Sequence, residues 1–209
     1  LLENLRFYKE EQNNDPKFSS QLSRHGKLFI NDAFGTAHRK HASNVGLLPH
    51  FKHYGIGFLI DKELNFLDNF MKKPKAPLIL ILGGAKIDSK LGLITKFLNK
   101  ANHILIGGGM AFTFLKAKGN KVGKSLVENS MVNIAKKILK NALEKKVNIH
   151  FPVDFLCSKN MNESDIGEVF SVDDIPSNLM GLDIGPKTIV KFNQILNGAN
   201  TILWNGPLG

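Results

Sequence analysis

The stretch Gly83-Gly84-Ala85-Lys86-Ile87-Asp88-Ser89-Lys90 follows the apolar run Leu78 to Leu82 and carries residue types that bind anions. Glycines after a strand let backbone approach a ligand, and N–H groups at the start of a following helix point at negative charge. Lys86 and Lys90 stand four apart, the spacing that puts two side chains on one face of a helix. Two ammonium groups would then converge on the phosphates of one ligand. The competing reading is a glycine turn that packs strand on helix, with both lysines in solvent. Gly107-Gly108-Gly109-Met110-Ala111-Phe112 also follows an apolar run, and offers either a floor free of side chains for a flat base or sugar, or tight helix-to-sheet packing. A dinucleotide fingerprint would need glycine where Phe112 stands, and no G-x-G-x-x-G occurs in the chain, which counts against nicotinamide and flavin cofactors. Gly119 to Gly123 misses the Walker A spacing by one residue and follows a helical segment, so it reads as a surface loop with Ser125 as N-cap of the next helix. Asn205-Gly206-Pro207 places a polar side chain at a strand end, suited to a phosphate oxygen or to a sharp turn.

Arginine is scarce, with Arg6, Arg24 and Arg39 set against twenty-five lysines. A guanidinium after a strand suits bidentate recognition of carboxylate or phosphate, with a structural salt bridge as the alternative for Arg6 and for Arg39. The seven histidines show no H-E-x-x-H and no pairing with cysteine, so a zinc site is not expected. Cys157 stands alone, cannot form an internal disulfide and reads as a small buried hydrophobe in a reducing compartment.

The formal charge of +10 is unevenly placed. Lys86 to Lys146 holds thirteen lysines against three acids, whereas Val147 to Gly209 holds three against seven. Concentrated positive potential favours polyphosphate substrates and nucleic acid alike. The band has no arginine and only Phe97, Phe112 and Phe114 as aromatics, so a nucleic-acid binder is not expected. Lys136, Lys137, Lys140, Lys145 and Lys146 read as a solvated helix face. With 43% hydrophobic and 22% charged residues the composition is that of a globular protein. No apolar run approaches the roughly 20 residues that cross a bilayer.

The elements that must position these residues follow from periodicity. Leu28 to Ile30, Ile56 to Ile60, Leu78 to Leu82, Ile104 to Ile106, Val147 to Phe151 and Thr201 to Trp204 are short branched apolar runs that read as buried strands. Leu91, Ile94, Phe97 and Leu98, and Met131 to Leu143, repeat at three and four residues and read as helices. Asp61 to Met71 reads as a further helix, ended by the Lys72 to Pro77 segment. Strands alternating with amphipathic helices imply a parallel sheet with right-handed crossovers, an α/β doubly wound architecture, with ligands at the carboxyl ends of the strands.

Taken in order, LLENLRF, NDAFGTAHRKHAS, LGGAKIDSK, GGGMAFTFLK, MGLDIGP and WNGPLG resemble the phosphoglycerate kinase family, from Leu1 to the last residue. The resemblance implies two Rossmann-like domains joined by a helix, which close to transfer phosphoryl between ATP, with magnesium, and the carboxylate of 3-phosphoglycerate in glycolysis. It implies that residues 1–60 are the later part of the 3-phosphoglycerate domain, 61–75 the interdomain helix and linker, and 76–209 the earlier part of the nucleotide domain. Arg6 and Arg39 resemble members of the basic patch that grips 3-phosphoglycerate, with Arg39 counted among the catalytic residues. Lys86 and Lys90 resemble the lysines on the transferring phosphoryl group and the nucleotide phosphates. Gly84, Ala85, Gly108, Gly109 and Gly181 resemble the adenosine pocket, and Asn205 and Pro207 the neighbourhood of the phosphates and base. Ile87, Ser89, Ala42 and Asn44 are slight departures from the family pattern. The metal-contacting aspartate and a further substrate arginine are expected outside this chain, so the chain alone is expected to bind ligands poorly and turn over little or nothing. The expected protein is a cytoplasmic monomer, or a plastid one if a transit peptide lies upstream, without nucleic-acid or membrane partners. The alternative is a nucleotide-binding module without catalysis.

Overall fold

The computed structural model describes residues 1–161 and 167–209. The chain divides into two compact units, Leu1–Pro74 and Lys75–Gly209.

In the first unit, α1 (Lys9–Gln12) and α2 (Pro16–Ser23) precede β1 (Phe29–Asn31), and β2 (Tyr54–Ile56) leads into α3 (Phe58–Lys72). Asp15 caps α2 by accepting the Phe18 N–H at 2.8 Å, and Pro16 occupies the first helical position, where its missing N–H costs nothing. The strands β1 and β2 pair in parallel, Phe29 opposite Tyr54 and Asn31 opposite Ile56. The run Ile56 to Ile60, expected as a strand, is strand only at Ile56 and helical from Phe58. The cause is remote: the Asp32 carboxylate, just past β1, accepts the Ile60 N–H at 2.9 Å and satisfies one of the donors that the first turn of a helix leaves open. The helix expected from Asp61 therefore begins three residues earlier.

In the second unit the parallel sheet has the order β5-β4-β3-β9, built from β3 (Leu78–Leu82), β4 (His103–Ile106), β5 (Asn148–His150) and β9 (Thr201–Asn205). All five residues of β3 are buried, as expected for a central strand covered on both faces. Between the strands lie α4 (Leu91–Phe97), α5 (Gly108–Lys118), α6 (Val132–Glu144) and α7 (Pro186–Leu196). Phe192 of α7 packs against Ile79 and Ile81 of β3 and Leu105 of β4 on one face of this sheet. The parallel sheets and crossover helices are the expected α/β architecture. A second sheet was not legible: β6 (Asp154–Ser158) lies between β7 (Glu168–Ser171) and β8 (Met180–Ile184), antiparallel to both. It joins the main unit through Asp154, 2% exposed, whose carboxylate accepts the Lys187 and Thr188 N–H groups at 2.9 and 2.8 Å and caps α7.

Candidate functional site

Three strand ends build the site. Register pairs Leu82 with both Ile106 and Asn205, so β3, β4 and β9 release their chains side by side at one edge of the sheet. The loops that leave them are laced together through backbone: Gly83 N–H donates to Asn205 O at 3.0 Å, Gly84 N–H to Pro207 O at 2.8 Å, Gly108 N–H to Leu208 O at 2.6 Å and Met110 N–H to Gly84 O at 2.9 Å. Such an approach excludes side chains. A Cβ on Gly83 would stand 1.7 Å from the Pro207 carbonyl oxygen. Gly108 has φ of 64°, and a Cβ there would lie 2.6 Å from the Gly84 nitrogen.

A cavity of about 360 Å³ opens at this edge, within the range of small-ligand sites. Gly84, Ala85, Gly108, Gly109 and Pro207 line it from the strand ends, and Gly181 lines it from β8. Six of the residues singled out in the sequence thus meet around one space. Gly181 is a glycine for packing, since a Cβ would lie 2.3 Å from the Phe112 ring of α5. Its N–H donates to Ser125 Oγ at 2.9 Å. Ser125 is therefore not a helix N-cap: it is a buried hydroxyl that fixes the cavity wall, and the next α-helix starts only at Val132. The sequence reading missed Lys124 and Leu126, which also line the cavity, because they flank Ser125 in the segment it assigned to a helix cap.

The two lysines do not share a helical face. Lys86 precedes a 3-10 turn over Asp88–Lys90, and α4 begins at Leu91. The glycines at 83 and 84 use the residues that would otherwise start a helix to cross toward Pro207, so the regular helix is delayed. Lys86 is exposed, while Lys90 is half-buried with its Nζ on Asn205 Oδ1. The strand-end asparagine and the second lysine are thereby joined across 115 residues of sequence. Ile87 between them is fully buried, and its N–H donates to Glu128 Oε2.

Arg6 and Arg39 belong to the first unit and are exposed, and among the described residues neither pairs with a carboxylate. The salt-bridge alternative for these arginines finds no support there. The loop that carries Arg39 is anchored by Asn44, whose Nδ2 donates to Arg39 O at 2.9 Å and Ala37 O at 3.0 Å. Asn44 Oδ1 in turn accepts from Asn31 at the end of β1 at 2.9 Å. Downstream, buried Glu11 accepts the Ser43 N–H and hydroxyl at 2.9 and 2.5 Å. Neither anchor was legible, because both act across gaps in sequence that periodicity does not report.

A family model described as phosphoglycerate kinase matches residues 1–209. The chain belongs to the phosphoglycerate kinase family. It is 47% identical over 209 residues to the phosphoglycerate kinase of Finegoldia magna and 49% identical over 220 residues to that of Lactobacillus delbrueckii subsp. lactis, covering 100% of this chain in both cases. The chain spans about half the length of those relatives, 53% and 54%. Among solved structures it is similar to phosphoglycerate kinase from Coxiella burnetii, with a TM-score of 0.77 at 35% identity over 99% of this chain and 53% of that one. The enzyme from Pyrococcus horikoshii gives a TM-score of 0.76 at 30% identity over 99% of this chain and 54% of that one.

Phosphoglycerate kinases are ATP-using phosphotransferases. Among the described residues no group of three or more His, Cys, Asp or Glu is placed to hold a metal ion. No helix among the described residues is long and apolar enough to cross a membrane.

Proposed function

We propose that the protein transfers a phosphoryl group reversibly between ATP and the carboxylate of 3-phosphoglycerate, giving ADP and 1,3-bisphosphoglycerate. The observation that carries the reading is the convergence of Gly84, Ala85, Gly108, Gly109, Gly181 and Pro207 on one cavity, with the Lys90–Asn205 pair joining two of the same strand ends. In this reading the glycines accept adenosine, Asn205 and Lys90 meet the nucleotide phosphates, and Lys86 meets the transferring group. Arg6 and Arg39 grip 3-phosphoglycerate. Phosphoryl transfer spreads negative charge over equatorial oxygens, so the protein contributes positioning and fixed cationic donors more than covalent chemistry. Lys86, exposed and without a carboxylate partner among the described residues, is available for that task.

The domain assignment is part of the same proposal: 1–60 and 76–209 belong to the substrate and nucleotide domains, and 61–75 joins them. The protein then works as a cytoplasmic monomer. Magnesium is contacted by a residue outside the 209, and the chain alone turns over little.

A coupled assay of 3-phosphoglycerate-dependent ATP consumption tests this, run on the 209-residue chain and on the chain extended to the length of its relatives. Activity in the extended protein alone, abolished by Lys86→Ala, is the expected result. Turnover by the 209 residues themselves would overturn the need for further segments. Inactivity in both would leave the second reading, nucleotide binding without transfer, which one observation favours: the cavity and both lysines lie within Lys75–Gly209 alone.

A further inference from the structure

The Lys86 to Lys90 segment is held from outside by one carboxylate. Ile87 is fully buried, so its N–H has no access to water, and its acceptor is Glu128 Oε2, 41 residues away. Glu128 is itself fixed on both sides of its Cα. Its N–H donates at 3.0 Å to Thr113 Oγ1, fully buried in α5, and its carbonyl accepts the Met131 N–H at 2.9 Å where the chain enters α6. Apart from the Lys90–Asn205 pair, the other bonds named in the segment are local: Ser89 Oγ to Lys86 O at 3.0 Å and Lys90 N–H to Ile87 O at 2.8 Å. They shape the turn but do not place it. Placement comes from Gly84 at one end, Asn205 at the other and Glu128 in the middle.

We propose that Glu128 is a positioning residue for phosphate recognition. By accepting the Ile87 N–H it fixes the peptide that joins Lys86 to Ile87, and so the direction in which Lys86 leaves the loop and the turn that carries Lys90 to Asn205. The ligand served is the phosphate tail of a nucleoside di- or triphosphate, and the inference rests on the nucleotide reading above. Glu128 acts without touching that ligand. The adenosine floor is independent of its side chain, because Gly108 and Gly181 are held by Leu208 O and Ser125 Oγ. The two bonds that hold Glu128 in place are main-chain bonds on its side, so truncating the side chain leaves its loop anchored.

This separation gives the test. The chain extended to the length of its relatives, taken as the parent, and its Glu128→Ala and Glu128→Gln variants are titrated calorimetrically with ADP and with adenosine, and the Ile87 amide is followed by NMR. An orphaned buried N–H is expected to weaken ADP binding by about tenfold in Glu128→Ala, while adenosine affinity stays within about twofold. The Ile87 amide resonance should move in Glu128→Ala. Glu128→Gln keeps an acceptor oxygen and should restore both ADP affinity and the Ile87 resonance. Equal losses for ADP and adenosine, no loss for either, or a glutamine variant no better than alanine would each overturn the inference. A parent chain that binds neither ligand would overturn the nucleotide reading, and the inference with it. A parent chain that binds ADP as tightly as Glu128→Ala does would overturn the inference alone.

Discussion

At Gly108 two independent reasons exclude a side chain, and each has a measurable cost. The residue adopts a left-handed backbone, and a Cβ would meet the Gly84 nitrogen and oxygen at 2.6 and 2.8 Å. Gly108→Ala should cost roughly 2 kcal/mol of unfolding free energy and push Gly84 out of the cavity wall, which a urea titration and an ADP titration would detect together. A variant as stable as the parent, with unchanged ADP affinity, would show that the loops can separate without consequence. Glycine runs after strands were legible in the sequence because the requirement is local and backbone-borne. Glu128 and Asn44 were not legible, since a carboxylate or amide that serves a distant main-chain group leaves no periodic trace in its own neighbourhood. Lys86 and Lys90 lie between these cases. Their types announced an anion, but their supposed common face did not survive the turn that separates them.

Among the elements, β3, α4 and α6 match their apolar runs closely, because amphipathic or fully apolar patterning is what buries them, whereas the run Thr201 to Trp204, expected as a buried strand, forms β9 with Ile202 and Trp204 exposed. The start of α3 and the antiparallel sheet do not, as both depend on partners supplied elsewhere in the chain. The attachment of α7 is the clearest case. Burial opposes the charge on Asp154, but hydrogen bonds from the Thr188 side chain and the Lys187 and Thr188 N–H groups, with the Lys187 charge, hold its carboxyl below the ordinary aspartate value. Asp154→Ala would strip those donors and leave the Thr188 hydroxyl in a fully buried place with fewer acceptors. A loss of about 2–4 kcal/mol is expected, read as a lowered urea midpoint. Thr188→Val should reproduce part of it, and an Asp154→Ala midpoint equal to the parent's would deny the cap any role. Because the native pKa is depressed, this contribution is complete above about pH 4 and is lost only below it, as the carboxyl protonates.

For the whole molecule a different group sets the response to mild acid. His150 on β5 faces His103 on β4, Nε2 to Nδ1 at 2.9 Å. Burial, the His103 charge and the Lys191 charge lower its pKa from 6.5 to about 4. The unfolded chain binds more protons than the native one between those values, so stability is full above pH 6.5 and falls as pH drops toward 4. The loss should reach roughly 1–2 kcal/mol, allowing for the partial exposure of the ring. Urea midpoints measured from pH 7.5 to 4 should decline in the parent and decline less in His150→Asn; parallel curves would remove His150 as the cause. This window lies above that of Asp154, so the two can be told apart in one series.

The lacing of the strand ends bears on how this protein and its relatives change over time. Gly83 is fixed by a carbonyl of its own chain and Gly181 by an aromatic ring, with no ligand involved in either constraint. A gene copy that had lost the proposed phosphoryl transfer would still need those glycines to fold. Its lysine at 86, which pairs with no carboxylate among the described residues, would be free to drift, whereas Lys90 also ties its loop to Asn205. In a degenerate copy the glycine-rich signature would therefore outlast the activity, and the charge at position 86 would be the earlier witness to its loss.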